Sequence, residues 1–91
     1  MNPPDTETRG FSFPGTFEVT AFAYAEAAFE TQIAAVLAEA GVTALTASLR
    51  TRPSSKGNFN AVSISFLCPD RAHYDRVHEV LKAHPAVKWT L

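Results

Sequence analysis

The sequence predicts an α+β fold in which strands and helices follow one another in the order βαββαβ. Three observations carry this. Hydrophobic residues alternate with a period of two over 16–23, 42–52 and 59–68. The period changes to that of a helix over 24–40 and again after Pro69. Proline or glycine stands at most of the boundaries between these segments.

Each element has a local reason. Residues 1–10 read as a flexible tail, and Phe11 and Phe13 as a lead-in whose rings anchor it before the Pro14-Gly15 turn. From Thr16 to Ala23, Phe17, Val19 and Ala21 fall on one face and Thr16, Glu18 and Thr20 on the other, which predicts a half-buried strand. From Tyr24 to Ala40, Phe29, Ile33, Val36, Leu37 and Ala40 form one helical stripe, and Gly41 supplies the stop. Val42 to Arg52 alternates again, with Leu45, Ala47 and Leu49 opposite Thr46, Ser48 and Arg50, and Pro53 ends it because proline donates nothing to a sheet ladder.

Phe59 to Cys68 is the strongest strand, with Val62, Ile64, Phe66 and Cys68 inward and Ala61, Ser63 and Ser65 outward. Asp70 then caps a second helix with Tyr74, Val77, Val80 and Leu81 as its buried stripe. His84-Pro85 stops that helix, and Val87, Trp89 and Leu91 alternate in a closing strand. Two right-handed crossovers around a hairpin give a four-stranded antiparallel sheet in the order 4-1-3-2, with both helices on one face. This is the ferredoxin-like sandwich, and residues 11–91 are read as one domain of this kind.

Composition bounds the function. A chain of 91 residues has room for one core, and a hydrophobic content of 46% fills it. The formal net charge is −1, so bulk charge favours neither nucleic acid nor an acidic membrane. Its distribution is uneven: six acids and one base precede Gly41, whereas Arg50, Arg52 and Lys56 are the only charges from Gly41 to Pro69. One cysteine, Cys68, excludes an internal disulfide and fits a reducing compartment, and no apolar run is long enough for a membrane helix. A cytoplasmic location is the expectation.

Catalytic patterns are missing. His73, His78 and His84 lie five and six residues apart, whereas two metal ligands on one helical face need three or four. Cys68 points inward with no histidine to activate it, and no Gly-x-Ser-x-Gly elbow occurs. No enzyme, metal or cofactor is implied.

The hairpin is where polar chemistry concentrates. Arg50, Arg52, Ser54, Ser55, Lys56, Gly57, Asn58 and Phe59 bring together guanidinium, ammonium, hydroxyl and amide donors around a turn in which Gly57-Asn58 can take positive φ. A solvated hairpin tip is the plain alternative. The loop is not a phosphate loop, since it joins two strands rather than a strand and a helix. Alternation puts Phe22, Phe59, Arg50, Arg52 and Lys88 together on the helix-free face. An RNA-recognition motif would need rings in the middle of that face, where Ala61, Ser63 and Ser65 stand.

Pro53-Ser54-Ser55-Lys56-Gly57-Asn58-Phe59 with Val62-Ser63 resembles the hallmark of the small bacterial YbeD-like proteins, a family of unknown function. Phe13-Pro14, Phe17 and the ending Val87-Lys88-Trp89-Thr90-Leu91 are similar to it as well. The resemblance runs from Phe13 to Leu91. It implies a fold similar to the regulatory ACT domain, whose relatives pair through sheet edges or helices and bind small effectors at the first strand-to-helix turn. That turn commonly holds a glycine; this chain has Ala21-Phe22-Ala23-Tyr24.

The expectation is a non-enzymatic regulatory or protein-interaction module that offers the hairpin to a protein partner, a second copy of itself or a small anionic ligand. An ACT-type small-molecule sensor is the alternative, with single-stranded nucleic-acid binding behind it.

Overall fold

The computed structural model describes residues 12–54 and 57–91. The expected tail over residues 1–10, and Phe11, lie outside these. The described elements are β1 (Gly15–Tyr24), α1 (Ile33–Glu39), β2 (Thr43–Pro53), β3 (Phe59–Cys68), α2 (Arg71–Ala83) and β4 (Val87–Thr90). The strands form one antiparallel sheet in the order β2-β3-β1-β4, the 4-1-3-2 arrangement of a ferredoxin-like fold.

Period-two alternation fixes the core at the centre of the sheet. Val19, Ala21 and Ala23 of β1 and Val62, Ile64, Phe66 and Cys68 of β3 are buried beneath Ile33, Val36 and Leu37 of α1 and Val77 and Leu81 of α2. Burying a side chain the size of Phe66 contributes about 1.5–3 kcal/mol, so these central strands dominate the hydrophobic stabilisation. Asp70 caps α2 as expected, accepting from the His73 N–H at 2.9 Å and from His73 Nδ1 at 2.7 Å. Phe13 packs against Phe17 and Tyr74 at 5.1 and 6.2 Å, on the α2 side of the sheet and away from the open face.

Three local expectations are corrected. The helix over 24–40 is broken. Tyr24 belongs to β1, and two single 3₁₀ turns, Ala25–Ala27 and Phe29–Thr31, precede α1. Ala28 between them takes the left-handed conformation at φ 51°. That reversal carries Phe29 into the core, where it is 1% exposed, so the predicted apolar stripe survives although the helix does not.

In β2 the faces are exchanged. The pairs Leu45–Ser65 and Arg50–Ser63 enclose five steps of β2 against two of β3, a bulge of three surplus residues. Leu45 therefore shares the open face with Ser65 instead of opposing Arg50, and Ala44 packs against the core. Leu49, expected inward, is exposed.

A smaller irregularity in β4 has the larger consequence. Phe22 pairs with Trp89 and Ala23 with Val87, so Lys88 is the extra residue. Val87 stays in the core while Trp89 turns to the open face, in the place that alternation gave to Lys88.

Candidate functional site

The helix-free face of the sheet owes its shape to β3. That strand runs between β1 and β2, and in its middle it presents only small outward side chains, Ala61, Ser63 and Ser65. Its neighbours present long ones: Arg50 and Arg52 on β2, Glu18 and Phe22 on β1. Small residues between tall walls leave a groove of about 670 Å³ along β3.

The electrostatics of the groove are simple. Arg50 Nη2 reaches diagonally across β3 to Glu18 Oε2, and both side chains of this ion pair remain largely in solvent. Arg52, one face position further along β2, has no ion-pair partner among the described residues. On the floor, Thr20 Oγ1 and Ser63 Oγ share a hydrogen bond of 2.7 Å. Two hydroxyls bound to each other use one of their two protons, and the second remains available to an acceptor in the groove.

An aromatic cluster closes one end. Phe22 and Trp89 stack at 4.8 Å with their planes 18° apart. Trp89 lies 5.8 Å from Phe59, and Phe59 lies 5.3 Å from Tyr24. Trp89 and Tyr24 are 45% and 38% exposed, so this cluster is a surface and not a second core.

The hairpin residues divide into three groups. Arg50, Arg52 and Ser54 line the groove. The Ser54 hydroxyl and the Ser54 N–H both donate to the Phe59 carbonyl at 2.8 Å, so Ser54 closes the hairpin while bordering the groove. Phe59 stands in the aromatic cluster. Gly57, at φ 71°, and Asn58 are exposed at the tip, outside the groove. The Gly57 N–H donates to the Ser54 carbonyl, and the Asn58 carbonyl accepts from the Ala25 N–H at 3.0 Å. Ser55 and Lys56 lie outside the described residues.

Sequence reasoning missed Trp89, Tyr24 and Leu91 as parts of this face, and it placed Thr20 and Ser63 outward without pairing them. A residue count cannot reveal the β4 bulge that redirects Trp89. The Thr20–Ser63 contact, by contrast, follows from two outward hydroxyl residues on adjacent strands once register is known.

The remaining reactive groups are engaged locally. Burial pushes the Cys68 thiol up from its ordinary range, and its Sγ–H donates to the Asp70 carbonyl at 3.2 Å. His84 Nδ1 accepts from the Ala86 N–H at 3.1 Å, and His78 packs on Tyr74. Among the described residues, no three His, Cys, Asp or Glu side chains gather as a metal site would need. A second depression, of about 490 Å³ between Thr16, Thr43 and Leu67, has no charged side chain in its walls. No helix among the described residues is long and apolar enough to cross a membrane.

Comparison with known proteins agrees with this architecture. A family profile described as "Protein of unknown function (DUF493)" matches residues 8–91. A UPF0250 protein of Xylella fastidiosa (strain 9a5c) is 45% identical over 87 residues, covering 96% of this chain and 95% of that protein. A UPF0250 protein of Xanthomonas oryzae pv. oryzae (strain PXO99A) is 42% identical over 87 residues with the same coverage. Among solved structures, the C-terminal domain of the MgtC protein from Mycobacterium tuberculosis superposes with a TM-score of 0.61, covering 84% of this chain and 82% of that one. At 20% identity this likeness concerns the fold alone.

Proposed function

This chain belongs to the bacterial DUF493 (UPF0250, YbeD-like) family of proteins of unknown function, and from its geometry we propose that it is a non-enzymatic binding module of regulatory or adaptor type. Its working surface is the open sheet face beside the Arg50–Phe59 hairpin, and its ligand is anionic. One observation carries the reading: a groove with two guanidinium groups on one wall, one carboxylate on the other, and exposed aromatic rings at its end. Arginine beside tryptophan and tyrosine is the composition of surfaces where binding energy concentrates.

An ACT-type sensor with its effector at the first strand-to-helix turn is less well supported. The Ala25 N–H at that turn is engaged by the Asn58 carbonyl, and the Ala28 N–H by the Ala25 carbonyl. The exposed Trp89 favours a second reading, single-stranded nucleic acid, more than the sequence suggested.

A thermal-shift series separates these readings, because a ligand specific to the folded state raises Tm by mass action. The series comprises amino acids, organic acids, nucleotides and short single-stranded oligonucleotides, applied to the wild type and to Arg52→Ala. Stabilisation of the wild type by small acids, lost in Arg52→Ala, is the expected result. Stabilisation by neutral amino acids that Arg52→Ala leaves intact would move the site to the turn. A response to oligonucleotides alone, falling steeply with salt, would establish the nucleic-acid reading.

A further inference from the structure

We propose that Glu18 is a built-in competitor within the groove, and that the ligand displacing it is a small monoanionic carboxylate with an apolar body. This rests on the reading of the open face as an anion site.

Charge is the first constraint on the ligand. The side chains facing the groove include two guanidinium groups, Arg50 and Arg52, and one carboxylate, Glu18. With Glu18 ionised, these leave a single positive charge, which one negative charge neutralises. A dianionic phosphate would overcompensate it beside a carboxylate that already repels it.

Geometry then selects a carboxylate. Glu18 holds Arg50 across the groove, so the pair itself demonstrates that a carboxylate above β3 can engage that guanidinium. The Arg50 and Glu18 side chains are 62% and 48% exposed, and an ion pair so solvated is cheaply exchanged for another. Arg50 and Arg52 occupy successive positions on the same face of β2, about 7 Å apart along the strand. A ligand carboxylate between them meets both guanidinium groups, of which Glu18 engages Arg50.

The rest of the groove fits the rest of such a molecule. The Thr20–Ser63 hydroxyl pair on the floor has one proton to donate. Phe22, Ala61, Pro53 and Leu91 form an apolar stretch of the wall. A volume of about 670 Å³ lies within the range of small-molecule sites, roughly 300–1,000 Å³.

The test is a titration of the intact chain, followed by amide and indole N–H shifts in two-dimensional NMR. The probes are benzoate, its neutral isostere benzamide, and inorganic phosphate. Benzoate is expected to shift the Trp89 indole and the Ala61 and Ser63 amides, with benzamide without effect. Glu18→Gln is expected to bind benzoate about two- to fivefold more tightly, the factor that an exposed ion pair represents. Amide shifts away from the groove, unchanged between the two proteins, establish that Glu18→Gln keeps the fold.

Equal or weaker binding of benzoate by Glu18→Gln overturns the competitor role while the anion site stands. Phosphate binding without benzoate binding overturns the ligand class. No shift of groove residues with either anion, in either protein, overturns the anion site itself.

Discussion

The Ser65 N–H of β3 donates to the hydroxyl of Ser48 at 2.8 Å, and that hydroxyl donates in turn to the Leu45 carbonyl at 2.6 Å. Ser48 lies inside the β2 bulge, where the ladder register between the two strands is lost. Its side chain thus serves as the acceptor that the bulge takes away from the sheet. Ser48→Ala removes it and leaves a half-buried N–H without a partner, at a cost of about 1–3 kcal/mol. Urea denaturation should show a lower midpoint with an unchanged slope. An unmoved midpoint would mean that Ser48 does not hold the bulge.

Ala28 supplies a second prediction. A left-handed alanine is strained by about 1–2 kcal/mol, and glycine relieves this while costing about 0.4–1 kcal/mol through a freer unfolded chain. With φ at 51°, Ala28→Gly should therefore stabilise the fold by about 0.5–1 kcal/mol. The check is a thermal or chemical melt, and a destabilised Ala28→Gly protein would contradict it. Phe29→Ala, by contrast, opens a cavity where the reversed chain enters the core and should cost about 3–5 kcal/mol.

Stability should also fall on mild acidification. Burial lowers the pKa of His78 below its ordinary 6.5, helped by the charge of Lys82 and opposed by Asp75. Between the lowered folded value and 6.5 the unfolded chain binds more protons than the folded one, so stability drops as pH falls through that window. His78→Gln should flatten the part of the urea-midpoint profile just below pH 6.5. Asp70 acts at lower pH, because its hydrogen bonds to His73 depress its carboxyl below the ordinary 3.8. Its contribution is complete above that value and fades as pH falls through the depressed one. A His78→Gln profile parallel to the wild type near pH 6 would rule out the first effect.

The fold was legible wherever period and chemistry agreed. The alternation of Val62, Ile64, Phe66 and Cys68 and the Asp70 cap both lead directly to what β3 and α2 do. Arg50, Arg52 and Phe59 could be placed on the open face because their own strand segments are regular near the hairpin. Face assignment fails wherever an odd number of extra residues enters a strand, since each reverses every side chain beyond it. Nothing in Thr46 to Leu49 or at Lys88 marks such an insertion locally. Trp89 therefore read as core, whereas the structure turns it to the open face and leaves Lys88 exposed as the extra residue of the bulge. The 24–40 helix failed differently: alanine-rich sequence favours helix, but Phe29 reaches the core only across the reversal at Ala28.

The bulge in β2 has one further consequence. β2 is an outer strand of the sheet, and its outer backbone edge is the kind of surface on which chains add to one another and grow into filaments. Here the regular pairing of β2 is confined to Thr43–Leu45 and Arg50–Pro53, with the displaced segment between them and Pro53, which has no N–H, at one end. An incoming strand would find two short docking stretches out of step with each other. The same irregularity that brings Leu45 onto the open face also makes that rim a poor template for fibrillar aggregation.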